Sequence, residues 1–590
     1  PREDLNSVEN ESQKRTAVAF GLIFLLTAVY MTWFAPSATP PHAAGAVDGG
    51  TVATTTPTPA PAPVTPAPPV ASPPSAGTPP GGPASRTFEV SRKLIHYVFS
   101  TEGAGLVSAK LQGEKTRDQR PLTMAEGWAQ LVGKDVPKGP QMDLAQPIPG
   151  APLPLSMELA GESPIPPTLR YSAEQGDHRI TFVGRTESWE VTKEISWVDD
   201  GYELSTRVTL RNLTSRPLSG ELVLPYGRAI DPAHEEKPSF FGGVGNVSDA
   251  ACFVKDAYEH ETVQDKTATK EFTGPVRWVA INQQYFVSAI FPVGTAVEGK
   301  CVLTTSLSER IATVRFPLQV GPGQSVTKAF GAFLGPKETE VLADVPRLAT
   351  NRAPEANAPV HLERAVDYGI WAALCKPMLW FLKKIHGIVG NWGVAIILLT
   401  VVVKVLLIPL THRAMVGQEA MKKLQPKIEE VKKKFPEDKE RQQMEMMKAY
   451  QEAGVNPFGS CLMILVQLPV WAALFTTLRN SYELYGVPFT SHFLTDLTIK
   501  DPTYLLPVLL GVSQIITSKL QPPALDPAQQ RMMVWFMPIF FTVIMLNYPA
   551  GLLLYIFTNN ILTVAQQAVL KRMVGSTPTP PLKPALEKRK

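Results

Sequence analysis

Five apolar stretches crowd the last third of this chain, at about 388–410, 457–478, 502–519, 532–546 and 549–570. A bilayer core of roughly 30 Å takes about 20 apolar helical residues to cross, and its interior tolerates only internally bonded backbone. The series therefore predicts a membrane-embedded helical bundle. Within 388–410 one side chain is charged, Lys404. An ammonium near the middle of a spanning helix costs roughly 2.5–3.5 kcal/mol on insertion scales, so such residues tend to face a polar cavity and mark function. The alternative is snorkelling: Lys404 lies about 9 Å along a helix from Leu410, within reach of the interface.

A further apolar run at 16–35 follows Lys14 and Arg15. It exceeds the roughly 7–15 residues of a signal-peptide core and matches a full span, which favours an uncleaved anchor (transmembrane helix 1) with 1–15 in the cytoplasm. Residues 36–85 hold fifteen prolines among Ala, Thr, Ser and Gly, with Asp48 the only charge, and read as a stiff disordered spacer. Residues 86–345 change character. Tyr202, Leu204, Thr206, Val208 and Leu210 alternate with polar neighbours at the strand period, and 178–183, 188–197 and 286–291 read alike. Turn residues between such runs predict a large antiparallel β-sandwich. Cys252 and Cys301 fall inside it; a disulfide is one reading in an oxidising compartment, and two separate buried thiols are the other. At 362–386, Ile370, Trp371, Leu374, Met378, Phe381, Leu382 and Ile385 form an apolar stripe with Lys376, Lys383 and Lys384 mainly off it. With Trp371 and Trp380 at headgroup level, this reads as a helix lying on the outer membrane surface, the alternative being an ordinary helix packed on the β domain.

Charge sets the orientation. Between Leu410 and Pro457 lie ten Lys/Arg against eight Asp/Glu, the loop at 479–501 has two Lys/Arg, and the tail at 571–590 has six against Glu587 alone. Positive charge gathers on the cytoplasmic side, so 411–456, the loop at 520–531 and the tail are expected there, and 479–501 outside. An N-in anchor followed by five spans gives the same result, with both termini cytoplasmic and the β domain periplasmic. In 411–456, Met421, Leu424, Ile428 and Val431 recur at helical spacing, and Met444 and Met447 begin a second stripe after Phe435-Pro436. That predicts a helical hairpin with a charged outer face. It is either self-contained or a docking arm whose Met421, Leu424, Pro426, Met444 and Met447 would receive a partner, since Met-rich surfaces adapt to varied ligands.

Other classes find little support. Net charge is only +4, four cysteines are too few for a disulfide framework, and zinc spacings, phosphate loops and nucleophile elbows are missing from the sequence. Neither a cofactor, a metal nor a catalytic group is predicted, and direct nucleic-acid recognition is not expected. Polar residues do recur in the spans: Thr400, Gln467, Ser513, Gln514, Thr517, Thr542, Thr558, Asn559, Asn560 and Thr563. Interhelical hydrogen bonding accounts for most of them. The span at 532–546 is short and holds Pro538, while Pro469 and Pro507 interrupt two others, so the bilayer is expected to thin around the bundle.

Several pieces occur together over about 367–572: Asn391-Trp392-Gly393 through Pro409-Leu410-Thr411, Leu424-Gln425-Pro426-Lys427-Ile428, and Asn456-Pro457 with Gln467-Leu468-Pro469. Asp526-Pro527 with Gln529-Gln530, Met537-Pro538, and Gly551-Leu552 through Tyr555 follow in order. In this the chain resembles the YidC/Oxa membrane protein insertases, and its anchor and external domain resemble the Gram-negative YidC arrangement. The resemblance implies a multi-domain membrane protein: five core transmembrane helices plus the anchor, a periplasmic β-supersandwich of the fold shared with sugar mutarotases, and the cytoplasmic hairpin. It implies an inner-membrane insertase and chaperone for newly made membrane proteins, not an enzyme, working alone or beside the Sec translocon. Lipids, the ribosome and the signal recognition particle pathway are the other implied partners. Lys404 matches the positive residue, commonly arginine, of a hydrophilic groove open to cytoplasm and lipid. Thr400, Gln467, Ser513, Gln514, Tyr555 and Thr558 are candidates to line it. Lysine lacks arginine's bidentate fork but keeps a point charge, and Ile556 stands where the family commonly has a second aromatic. The alternative function is a secondary transporter or channel with Lys404 as an anion site; the spans show no inverted repeat or acidic coupling residue. A carbohydrate-binding or epimerase role for the β domain is a third reading, against which fold alone confers no chemistry.

Overall fold

The computed structural model describes residues 85–113, 115–117, 122–231, 248–262, 267–294, 296–345, 359–436, 438–453, 459–521 and 530–575. The expected anchor at 16–35, all but the last residue of the spacer and most of the tail lie outside them.

The period-2 patterning becomes sheet. Thr87–Ser91, Ile95–Ser100 and Leu106–Leu111 (β1–β3) make a three-stranded antiparallel sheet, and the strands from Glu158–Gly161 (β4) to Ser325–Pro336 (β16) make a thirteen-stranded one. Trp189–Trp197 (β7) and Glu203–Asn212 (β8) pair antiparallel, burying Trp189, Val191 and Ile195 on one strand and Val208 and Leu210 on the other. One buried cluster joins Tyr97 and Phe99 of the small sheet, these β7–β8 residues, and Cys301, Leu303 and Val314 of Val297–Thr305 (β14) and Glu309–Val320 (β15). Because β14–β15 and β7–β8 lie in opposite halves of the strand order, the large sheet folds over as a sandwich around that core. Asp249–Val254 (β10) and β14 both pair with Ala268–Asn282 (β12), and a disulfide joins Cys252 of β10 to Cys301 of β14, with Cα atoms 6.7 Å apart.

Lys193 breaks the apolar pattern of β7. It points inward between Val191 and Ile195, and its ammonium donates to the carbonyls of Ala104, at 2.8 Å, and Leu155. Desolvation pushes its pKa down from 10.5 to about 7. Burial likewise pushes Lys337 down to about 8, against opposing pulls from Asp249 and Asp367. From about pH 7 to 10 the unfolded chain therefore holds protons that the folded domain does not, so stability rises with pH through that window, by at most about 4 kcal/mol from Lys193. A Lys193→Met variant is expected to keep only the part due to Lys337. Denaturation midpoints at pH 7 and 9.5 measure this, and an unchanged slope refutes it.

Two short helices, Met124–Leu131 (α1) and Thr339–Ala343 (α2), lie within or beside the β domain. The amphipathic helix expected at 362–386 starts only at Ala372 (α3, Ala372–Val389). Before it, Leu362–Ala365 and Gly369–Trp371 are single 3-10 turns. Gly369 takes φ +54° and donates its N–H to Asp367 Oδ1, a geometry that a continuous helix excludes. The inward face also differs: Cys375, Leu379 and Leu382 are buried, whereas Ile370, Leu374, Trp380 and Phe381 are exposed.

The bundle helices follow as Trp392–Leu406 (α4), Ile408–Lys434 (α5), Lys439–Glu452 (α6), Gly459–Asn480 (α7), Leu505–Leu520 (α8), Met537–Met545 (α9) and Ala550–Gly575 (α10). Their ends have local causes. Gly390, left-handed at φ +68°, ends α3, and Asn391 Oδ1 accepts the Val394 N–H to start α4 while its Nδ2 holds Phe489 O. At Gly393 an added Cβ would come within 2.1 Å of the Phe489 ring, so only glycine admits that contact. The third stretch starts at Leu505 rather than 502, because Asp501 accepts from Thr503 and from the Leu506 N–H. Pro507 thus sits in the first turn and interrupts nothing, and α7 runs unbroken through Pro469. Pro538 has no N–H for the Val534 carbonyl, and Met532–Phe536 wind as a π turn before α9. Among the described residues, one segment, Ala550–Val569, is long and apolar enough by length and composition to cross a bilayer. Trp392–Leu406, Leu505–Leu520 and Met532–Met545 are shorter apolar helices.

The β domain rests on the loop between α7 and α8 of this bundle. Tyr482 and Tyr485 belong to the β-domain core cluster, with Phe286 ring centroids at 5.7 and 5.1 Å. Tyr485 OH donates to Arg117 O at 3.0 Å, Lys115 lies 4.5 Å over the Tyr482 ring, and Lys383 pairs with the largely buried Glu483 at 2.7 Å.

Candidate functional site

Several polar residues of the bundle converge on α10. Lys404, half a turn from the end of α4 and 7 % exposed, donates to Asn559 Oδ1 at 3.1 Å and to Thr563 Oγ1 at 2.9 Å. Asn559 and Thr563 are one turn apart and so share a face. Thr563 Oγ1 passes its own proton to Asn559 O at 2.7 Å, leaving its lone pairs for the ammonium. Asn560 is turned about 100° away, towards α8, where its Nδ2 donates to Ser513 Oγ at 3.0 Å and Gln514 Oε1 at 2.9 Å. Towards α7, Gln467 Nε2 reaches Tyr555 OH at 3.4 Å, and towards α5, Gln566 Nε2 donates to Thr411 Oγ1 at 2.9 Å. A polar seam therefore runs along α10 from Tyr555 to Gln566 and touches four other helices.

Two properties of the seam bear on its chemistry. Lys404 has neutral oxygens as partners, and among the described residues its third N–H has no protein acceptor. Its charge is thus held by dipoles and is not cancelled by a carboxylate. Secondly, the buried Oε1 atoms of Gln566 and Gln567 lack a donor among the described residues. An unmet buried acceptor costs about 1–3 kcal/mol, so the Gln566–Gln567 end of the seam is not self-satisfied.

Of the residues expected to line a groove, Lys404, Gln467, Ser513, Gln514 and Tyr555 all join the seam. Thr400 does not touch Lys404's ammonium; it is buried, and its hydroxyl donates back to Ile396 O at 2.7 Å. Thr558 is half-buried and enters none of these bonds. Asn559, Asn560, Thr563, Gln566 and Thr411 were not among the expected lining residues. The signal for Asn559 and Thr563 was present, an amide and a hydroxyl at i,i+4 in the middle of an apolar helix. In the hairpin, Met421 and Leu424 pack inward with Ile428, Met446, Ala449 and Tyr450, because two helices need an apolar seam of their own. Met421 and Leu424 are half-buried there, whereas Pro426, Met444 and Met447 are exposed.

The family profile described as 60Kd inner membrane protein matches residues 384–577, and that of the YidC periplasmic domain matches 137–381. A membrane protein insertase YidC of Anaeromyxobacter sp. (strain Fw109-5) is 35 % identical over 487 residues, covering 82 % of this chain and 84 % of that protein. Another, from Geotalea daltonii, is 32 % identical over 508 residues, covering 83 % and 87 %. A solved structure described as an active YidC insertase with its first transmembrane domain resolved aligns at 19 % identity and a TM-score of 0.35, over 82 % of this chain and 92 % of that one. The latter likeness is too loose to add to the sequence matches. On those matches, the chain belongs to the YidC family of membrane protein insertases, inner-membrane proteins with a periplasmic domain.

Proposed function

We propose that this chain inserts newly made membrane proteins by lodging a client's polar segment against the seam of α4, α8 and α10. The observation that carries the reading is the unneutralised Lys404 with a spare donor, and the spare acceptors of Gln566 and Gln567 three and four residues along α10 from its partner Thr563. A polar client segment would supply the missing partners, entering from the cytoplasmic end, where Lys404 lies close to the start of the basic hairpin. Binding there shortens the segment's path through hydrocarbon, and partitioning of the client's apolar helix into lipid drives the rest. The five core helices would span the membrane with both termini in the cytoplasm, as the positive-inside pattern indicates. The fifteen residues of α4 cover about 22 Å, short of the roughly 30 Å core, which supports local thinning around the bundle.

The outward Met444 and Met447 suit a docking role for the hairpin, with the ribosome, the signal recognition particle pathway and the Sec translocon as partners. Photocrosslinking tests the central claim. A photoreactive residue at position 404 is expected to capture a stalled nascent membrane protein through its polar segment, and to lose it once the chain is released. Crosslinks to lipid alone would refute the reading.

A further inference from the structure

On α1, Met124, Trp128 and Val132 follow one another at four-residue spacing and are 54 %, 46 % and 69 % exposed. Single exposed apolar residues are ordinary, but three on one face make a continuous patch. The neighbouring face is docked. An added Cβ at Gly127 would meet the Pro502 ring at 2.8 Å, Gln130 Oε1 accepts from Thr495 Oγ1 at 3.0 Å, and position 133 abuts the His492 ring. The two faces lie about a third of a turn apart. A capping box of Thr123 and Glu126 keeps this eight-residue helix formed without burial of its apolar side.

What lies next to the patch indicates its occupant. Pro502 is three residues before α8, whose exposed Val508, Val512 and Ile516 run down its outer side at the same spacing. Phe536, Ile539 and Val543 extend that belt. The α1 patch thus starts where the apolar belt of the bundle ends, at the periplasmic ends of the helices. It also lies outside the matched periplasmic-domain profile, which begins at residue 137. We infer that α1 is a foot of the β domain, with its Met124–Trp128–Val132 face seated in the headgroup region of the outer leaflet. The inference rests on the reading that the belt faces lipid. A short amphipathic helix with a tryptophan at the boundary is suited to that depth. Together with the exposed Trp380 and Phe381 of α3, it would hold the β domain at a set height and tilt.

Quenching in vesicles tests this. Full-length protein with a nitrobenzoxadiazole label at Met124→Cys, in a Cys375→Ser, Cys461→Ser background, is placed in phosphatidylethanolamine–phosphatidylglycerol vesicles with or without lipid spin-labelled near the headgroup. The label is expected to lose about half its fluorescence or more to the spin-labelled lipid. A label at Val132→Cys reports the same from a second position, and one at Val512→Cys reports the belt. Quenching at 512 but at neither α1 site overturns the inference and leaves the belt reading intact. Quenching at none of the three overturns both. A blue-shifted α1 label that lipid does not quench means that protein, a partner or a second copy, covers the patch, and this also overturns the lipid assignment.

Discussion

Lys404→Ala is expected to lower insertion of clients with an acidic translocated segment by about tenfold, while Lys404→Arg stays within about twofold of the parent. At 4 Å and an effective dielectric of 20, the attraction between Lys404 and a client carboxylate is roughly 4 kcal/mol before desolvation. If a third survives, about 1.4 kcal/mol, the rate or occupancy changes tenfold. Because Lys404 is held by Asn559 and Thr563 and not by a carboxylate, its potential remains available to a transient partner. Asn559→Asp provides the complementary test. It would place a permanent counter-ion where an oxygen now lies 3.1 Å from the ammonium, and should reproduce most of the loss with Lys404 still present. Protease protection of the client's external segment in membrane vesicles is the measurement. Unchanged insertion of acidic clients in both variants would remove charge guidance from the mechanism.

The double variant Tyr482→Ala, Tyr485→Ala is expected to uncouple the β domain from the bundle. Both rings are buried in the β-domain core although they belong to the loop between α7 and α8, and they pack on Phe286 and Tyr285, the latter 4.8 Å from Tyr485. Truncating one buried aromatic costs about 3–5 kcal/mol, and two neighbours lose somewhat less than the sum. A loss on the order of 5 kcal/mol exceeds what the rim contacts offer, since Lys115 and Lys383 reach the same loop through Tyr482 and Glu483. Calorimetry should then resolve separate transitions for the two parts, and protease should reach the 481–504 loop. A thermogram like the parent's would show that other contacts carry the docking.

Much of this organisation was legible in single residues. Alternation at Tyr202–Leu210 announced β8 because one strand face meets a core and the other does not. Asn391 and Gly393 read as a motif; Asn391 caps α4 locally, while Gly393 admits Phe489 from a distant loop. The errors have equally local causes. The stripe from Ile370 to Ile385 was placed on a single helix face, but Asp367 and Gly369 form a turn and the start of the chain segment is claimed by the β domain through Leu362 and Tyr368. At Met421 and Leu424 helical spacing does not say which partner an apolar stripe will meet, and in the structure both pack partly against the second helix of the hairpin.

By itself, the sequence determined that there are a membrane bundle and a β domain, that Lys404 is a buried charge needing an explanation, and the family to which the chain belongs. Apolar period, run length and charge placement are properties of neighbouring residues, and these suffice for that much. Only the tertiary structure decided which oxygens hold Lys404, that Asn559 and Asn560 face different helices, that Cys252 and Cys301 are joined, and that Tyr482 and Tyr485 enter the β-domain core. Each depends on residues brought together from 46 to 199 positions apart, where the pairing is set by packing of whole elements and leaves no periodic trace along the chain.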